Sequence, residues 1–501
     1  MNNKIKSISF ALLGLLLLAS VGCKKGTFDI NNPNPNSPSP ESVPTKFILS
    51  AALNGSAGLI AGGNNDFANY YMGYWAVSGD YIPNANLLTY NITATFYTGN
   101  WDAGYPLLKN YGTIIGKSED ASQANYAAIA NIMSSLHFQN MVDIYNNIPY
   151  SQALLGAVTT NPAYDDAETI YASLVDRLDA AIASINANPD AEDPGAYDIM
   201  FGGDMTMWKK LANTIKLRIL MRQAPGAASY IQSKLSGLTS DDFLGAGEDA
   251  QINPGYGNTA GNKQSPLWQD IGFGTSGTSY GNRDYNRACK YATDFYNNLA
   301  DPRASLIYSE NSSGAIQGRN FGSTESGNEH NTDISAPGGP GILTDPGMAA
   351  TIMMASESYF LQAEAAQRGY LGGEGEAESL YLQAVTESFR FLGVEDYANA
   401  AVEYTSQASV KTNWEFATDK IALIITQKWA AMNTIDPLES WADWRRLGIP
   451  SDLPTSVYPG TTASKPPIRL VYPQSEYDYN NANVSSQGSI NPISSKIFWM
   501  P

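Results

Sequence analysis

Histidine and cysteine are nearly absent from this chain, with two of each in 501 residues. A lone pair of cysteines, Cys23 and Cys289, cannot build a disulfide framework, and once Cys23 is used otherwise Cys289 remains as a structural thiol. Zinc sites want several His or Cys ligands, so no metal site is readable. Basic residues are also few: 30 Lys and Arg face 48 Asp and Glu, a net charge of −18. Phosphate backbones would be repelled, which excludes nucleic acid as a partner. Long apolar runs are missing too. Phe10–Ala19 is the longest, about half of the roughly 20 residues that cross a bilayer, so the mature chain is not expected to span one.

That single run is informative by its flanks. Lys4 and Lys6 precede it, small residues follow it, and then comes Cys23, the pattern of a secretory signal peptide. Leu18-Ala19-Ser20-Val21-Gly22-Cys23 resembles a lipobox, which makes residues 1–22 a lipoprotein signal peptide and Cys23 the acylated N-terminus. Acyl chains would then be the only attachment to a membrane. Asn31 to Pro40, NNPNPNSPSP, offers nothing to bury and is expected to be extended. Residues 23–44 thus form a lipidated tether and 45–501 the folded part.

The middle of the chain reads as helices. Tyr126, Ile129, Met133, Leu136, His137 and Met141 recur at steps of three and four between Ser122 and Ile144. A second stripe, Ile170, Leu174, Leu178 and Ile185, stops before Pro189. Asp204 is a fitting N-cap for a helix through Trp208, Leu211, Ile215 and Ile219. Met348–Arg368 and Glu374–Phe391 form a pair around Gly369, Gly372 and Gly373, and a last helix is expected over Trp414–Asn433. Ala377, Tyr381 and Ala384 stand at the spacing of the second helix of a tetratricopeptide unit, where small residues let helices approach. Residues 245–285 and 309–347 are instead rich in Gly, Ser, Asn and Pro, and long irregular segments in a compact domain usually carry function. About a quarter of residues 67–111 are aromatic, against 11% overall.

Several stretches then resemble a family, the SusD/RagB-like outer-membrane lipoproteins. They are Tyr145-Asn-Asn-Ile-Pro-Tyr-Ser-Gln-Ala153, Pro162-Ala-Tyr-Asp165 and Trp208-Lys-Lys-Leu-Ala-Asn-Thr-Ile-Lys-Leu-Arg218. Glu357-Ser-Tyr-Phe-Leu-Gln-Ala-Glu-Ala365, Thr418-Asp-Lys-Ile-Ala-Leu-Ile-Ile-Thr-Gln-Lys-Trp429 and Tyr472-Pro-Gln-Ser-Glu-Tyr-Asp-Tyr-Asn-Asn-Ala-Asn483 complete the set. The chain departs from the family at Asn146-Asn147, where Gly-Asp is common, and at Gln152, where Glu is. The resemblance implies a mostly α, SusD-like fold: tetratricopeptide-like helical hairpins on one side, a loop-rich irregular half with the ligand surface on the other. It also implies a SusC-like TonB-dependent transporter as partner, an outer-membrane location facing the cell exterior, and oligosaccharides or other oligomers as ligand.

Catalytic constellations are thin. His137 lies on an apolar stripe and reads as a core histidine, while His330 stands in a glycine-rich loop. Gly272-Phe-Gly-Thr-Ser-Gly277 has G-x-G-x-x-G spacing without the strand and helix that give it meaning. Gly277-Thr-Ser279-Tyr-Gly281 has nucleophile-elbow spacing, with Asp284 and His330 downstream, so a surface-anchored serine hydrolase or glycosidase is the alternative reading. No cofactor is implied and no catalytic residue is assigned. Sugar binding is better served, because flat C–H faces stack on aromatics while amides and carboxylates take hydroxyls. Trp75, Tyr81, Trp268 and Tyr280, with Asn84, Asn86 and Asp270 beside them, are the candidate ligand residues, expected on an exposed surface built from 67–111 and 262–285. Trp208, Trp414 and Trp429 are expected in the core on helices, and Arg445-Arg446 beside carboxylates.

Overall fold

Where a capping side chain precedes an apolar stripe, the chain is helical. The structure, a computed structural model, describes residues 42–501 apart from 225, 260, 262 and 326–328. The signal peptide, Cys23 and the Pro/Asn-rich tether lie outside the described residues. From Thr45 to Pro501 the chain forms one compact unit. Its first helices are α1 (Thr45–Ala61), α2 (Asp66–Tyr71), α3 (Gly104–Lys117) and α4 (Ala124–Tyr145). They are followed by α5 (Ala167–Ala187) and α6 (Met205–Arg222). Asp166 starts α5 by accepting the Thr169 amide at 3.0 Å, and α5 ends two residues before Pro189. Asp204 starts α6 by accepting the Thr206 and Met207 amides at 2.8 and 3.2 Å, as its sequence position implied.

Helix α4 departs from the one-sided stripe expected of it. Packed by α3, α5 and α6, it is buried on nearly every face, Ser134, Ser135, His137, Gln139 and Asp143 included. Such polar groups must find partners inside. His137 Nε2 meets Ser56 Oγ at 2.7 Å, and Ser56 meets the Tyr111 hydroxyl at 2.6 Å. The imidazole is a core histidine, and burial pushes it down to about 4. Where α4 ends, Asn146 takes φ 68° and ψ −118°, a conformation that favours glycine.

The helical half closes with α7 (Ala355–Gln367), α8 (Glu374–Leu392), α9 (Tyr397–Thr405), α10 (Lys420–Met432) and α11 (Pro437–Leu447). Helices α7 and α8 fold back on each other as the tetratricopeptide spacing implied. Ala377, Tyr381 and Ala384 are buried, and the Tyr381 hydroxyl donates to the Thr412 carbonyl at 2.6 Å. Two boundaries differ from the sequence reading. The expected helix start at Met348 is instead the strand Ala350–Met353, paired antiparallel with Ala250–Ile252. Likewise α10 begins at Lys420, where Asp419 accepts the Ala422 amide at 2.9 Å, so Trp414 lies in the preceding loop. Half-buried, it leans on Tyr381 at 5.6 Å between ring centres, whereas Trp208 and Trp429 are core as expected.

Five helices converge on a buried ionic network. Arg218 on α6 forms a two-pronged pair with Glu357 on α7 at 2.7 and 2.6 Å, and lies 3.1 Å from Glu439 on α11. Arg222 joins Asp143 and Glu439, Lys428 on α10 joins Glu439 and Asp443, and Arg446 joins Glu364 and Asp443. Arg445 corrects the expectation of a carboxylate partner: it donates to the Asp143 and Ile468 carbonyls and lies 3.6 Å above the Trp441 ring. Removing one member of such a network leaves a buried charge unpaired, at a cost of about 3–5 kcal/mol.

Candidate functional site: a loop face and a carboxylate-lined cavity

Sheet is confined to short ribbons, and one of them organises the loop-rich half. Strand β1 (Trp75–Val77) pairs antiparallel with β2 (Asn286–Ala288), Trp75 opposite Ala288. All three residues of β1 are buried. Trp75 is therefore a core residue, not a stacking platform: it is fully enclosed, its indole N–H donates to Thr434 Oγ1 at 2.9 Å, and Tyr70 packs edge-on. The same holds for most aromatics of 67–111, since Phe67, Tyr70, Tyr71, Tyr74, Trp101 and Tyr111 are all buried. The exposed surface expected from the whole of 67–111 is thus reduced to the loop after β1.

There Tyr81 is 41% exposed and Ile82 94% exposed. Tyr81 rests edge-on against Tyr285, 5.9 Å between centres, and the Tyr285 hydroxyl accepts the Asn84 amide at 2.9 Å. Asn84 and Asn86 shape this loop. Asn84 Oδ1 caps the short helix Ala85–Leu88 through the Asn86 amide at 3.1 Å, and Asn86 Oδ1 accepts from Asn91 at 2.8 Å. On the far side Asp80 Oδ1 meets His330 Nδ1 at 2.6 Å, and Asp80 Oδ2 accepts the Asn331 amide at 2.8 Å. That hydrogen bond raises the His330 pKa and lowers that of Asp80. Tyr285 and Arg287 were missed in the sequence. Arg287 is buried on β2, and its guanidinium donates to the Arg283 and Asn286 carbonyls, both at 2.7 Å.

Trp268, on the short helix Pro266–Ile271, and Tyr280, on the loop that follows it, are both half-buried. Trp268 donates to the Phe273 carbonyl at 2.8 Å, Tyr280 to Gln264 Oε1 at 2.6 Å, and Arg283 covers the Phe273 ring at 4.6 Å. Their polar atoms are satisfied within the loop, leaving ring faces and edges for contact. The nucleophile-elbow spacing is not built as an elbow. Phe273 bridges Ser279 across a small hairpin, Ser279 Oγ donates to Asp284 at 2.8 Å, and His330 is engaged by Asp80. Cys289 is a buried free thiol, pushed up to about 11 by burial.

Asp270 shares the helix Pro266–Ile271 with Trp268. It touches Asp66, at the start of α2. Burial, with each other's charge added for Asp66, raises both carboxyls above their usual range. Asp66 opens onto a cavity of about 290 Å³, floored by Ile60, Leu267, Ile342, Phe391 and Ile435, with Arg390 and Asp249 paired on the opposite wall. Carboxyls in hydrogen-bond contact are closer than the roughly 5 Å that glycoside hydrolysis uses. Among the described residues no group of three or more His, Cys, Asp or Glu is placed to hold a metal, and no helix is long and apolar enough to cross a membrane.

With this geometry in view, the chain matches the family model SusD-like_2, described as starch-binding and associating with outer membrane, over residues 35–473, and it belongs to that family. No curated protein matches it. Among solved structures it is similar to a SusD homolog from Bacteroides uniformis, at 22% identity, TM-score 0.74, over 91% of this chain and 99% of that one. A SusD-like protein from Bacteroides thetaiotaomicron gives 23%, 0.73, 91% and 99%. A chitin-binding SusD homolog from Flavobacterium johnsoniae gives 22%, 0.72, 90% and 98%. At these identities the likeness shows the fold, which is mostly helical and SusD-like.

Proposed function

We propose that the protein is a lipid-anchored, cell-surface binding protein that captures oligosaccharides and delivers them to a SusC-like TonB-dependent transporter, without catalysing a reaction itself. The observation that carries the reading is the Tyr81–Ile82 tip: an aromatic and an aliphatic side chain held in solvent by Tyr285, on the loop-rich half of a SusD-like fold. Exposed apolar groups rimmed by polar ones mark interaction sites. Asn84, Asn86, Tyr285 and the Asp80–His330 pair hold that loop with amides, a ring edge and charge, and Trp268 and Tyr280 offer further ring faces on the 262–285 segment. The family description and the chitin-binding relative support a glycan as ligand.

An array of starch, chitin, xylan and mannan oligosaccharides, probed with the purified chain, tests this directly. Binding to at least one class, weakened several-fold by Tyr81→Ala, is the expected result; binding to none overturns the glycan reading. Cys23→Ala should move the protein to the soluble fraction, and affinity purification in mild detergent should co-purify a β-barrel transporter. Purification of this chain alone in several detergents would contradict the delivery step.

A further inference from the structure

The cavity of about 290 Å³ beside α2 shares no residue with the Tyr81 loop, and sugar capture at the tip leaves it unused. Its size is at the small end of the roughly 300–1,000 Å³ of small-molecule sites, enough for one ring and not for a chain of them. Gln251, Ala349, Thr351, Arg390 and Phe391 line it as half-buried residues, while Asn69 lies at depth, 1% exposed. Asn69 Oδ1 has no hydrogen-bond partner, a state that a closed core avoids. Gln251, on the strand Ala250–Ile252, donates to Thr351 Oγ1 across the ribbon at 3.3 Å, which leaves its Oε1 to accept. Arg390 uses Nε on Glu387 at 2.6 Å and Nη2 on Asp249, which leaves Nη1 to donate.

The charges of this lining are used up within the protein. Arg390 is paired with both Asp249 and Glu387, so a carboxylate or phosphate would find no free cation. Burial raises the Asp66 carboxyl on the opposite wall well above its usual range, so a cation would find no ready charge there either. What remains is an uncharged set of donors and acceptors over the apolar floor of Ile60, Leu267, Ile342 and Ile435, with the Phe391 ring beside it. A molecule with hydroxyls at its edges and C–H groups on its faces satisfies both parts, as a few placed polar groups in an apolar pocket require. We infer, resting on the sugar-binding reading of the chain but not on its tip, that this cavity is a second sugar site and takes one neutral monosaccharide. Ring hydroxyls donate to Asn69 Oδ1 and Gln251 Oε1 and accept from Arg390 Nη1, and a C–H face lies against Phe391.

The test uses the full chain in a detergent without a sugar headgroup. Glucose, galactose, mannose, xylose and N-acetylglucosamine are titrated separately by calorimetry. At least one should bind once per chain, with a dissociation constant on the order of 1 mM or tighter, as the efficiency of a ligand of roughly twelve atoms implies. Ala349→Trp, which fills the cavity from its side, should weaken that binding at least tenfold. Gln251→Ala, which removes one acceptor, should weaken it several-fold, and Tyr81→Ala should leave it unchanged. Ala349 and Gln251 are half-buried, so a thermal melt near that of the parent is expected for both variants. No saturable binding of any of these sugars up to about 10 mM, or binding that both cavity variants leave unchanged, would overturn the second site. Binding lost in Tyr81→Ala would overturn it too, by placing the monosaccharide at the tip. Oligosaccharide binding on the array, kept in Ala349→Trp and weakened by Tyr81→Ala, would in each of those cases leave the tip reading standing.

Discussion

The helical half and the loop-rich half use polar side chains for different ends. In the helical half Arg218, Arg222, Lys428 and Arg446 are buried in ion pairs with Glu357, Glu364, Glu439 and Asp443. In the loop half Arg283 and Arg287 donate to backbone carbonyls, Tyr81 stands in solvent, and Asp66 touches Asp270. The stretches that resemble the family are drawn mainly from the first kind. Arg218, Glu357, Glu364 and Lys428 all sit in the ionic network, and Asp165 and Glu476 hold loops by accepting from Tyr150 and Tyr164. Those motifs identify the scaffold and are silent about the ligand, which explains how a family can be plain in a sequence while its substrate is not.

The largest effects should come from the scaffold. Glu357→Gln leaves Arg218 short of a charge in a fully buried site and should cost about 3–5 kcal/mol in chemical denaturation. Any folded fraction should keep its oligosaccharide affinity, because Glu357 is fully buried among helices. Next is acid sensitivity. His137 is neutral when folded, with a pKa of about 4, and titrates near 6.5 when unfolded. Between those values the unfolded chain binds a proton that the folded one refuses, so stability is whole above pH 6.5 and lost as pH falls toward 4. The loss is on the order of 3 kcal/mol, and His137→Gln should flatten melting temperature against pH over that window.

Asp436 acts with the opposite sign. Burial raises its folded pKa to about 7 despite Arg218 nearby, while the unfolded value is near 3.9. Its contribution is present below the unfolded pKa and lost as pH rises through 7. Asp436→Asn keeps an N-cap for α11 and should remove this decline in thermal melts at pH 5 and 8. Trp268→Ala belongs between the halves. A half-buried ring that packs its own loop should lose less stability than the about 3–5 kcal/mol of a core aromatic, and a melt that falls as far as that of Trp75→Ala would move Trp268 into the core.

Much of the scaffold was legible because its signals are local. Asp166 and Asp204 mark their helices by a single side chain, and Ala377, Tyr381 and Ala384 mark a helix contact by spacing. The failures share a cause, which is that pairing partners are distant in sequence. Nothing near Ala350–Met353 reveals Ala250–Ile252, and nothing near Trp75 reveals Ala288 or Thr434, so a strand was read as helix and a core tryptophan as a platform. Aromatic density misled in the same way: in 67–111 it mostly measures core, and exposure is confined to Tyr81 among the chosen rings of that segment. Tyr285, 204 positions from Tyr81, has no sequence signal that joins the two.

The central claim is that recognition belongs to the Tyr81 tip and folding to the helical half. Its most direct test is one experiment on Tyr81→Ala and Ile82→Ala: calorimetric titration with an oligosaccharide selected on the array, beside a thermal melt of each variant. Exposed positions cost within about 0.5 kcal/mol, so both should melt with the parent while affinity falls several-fold, on the scale of about 1–3 kcal/mol seen when a stacking aromatic is truncated. Parent-like affinity in both variants, with the melt unchanged, would contradict the account.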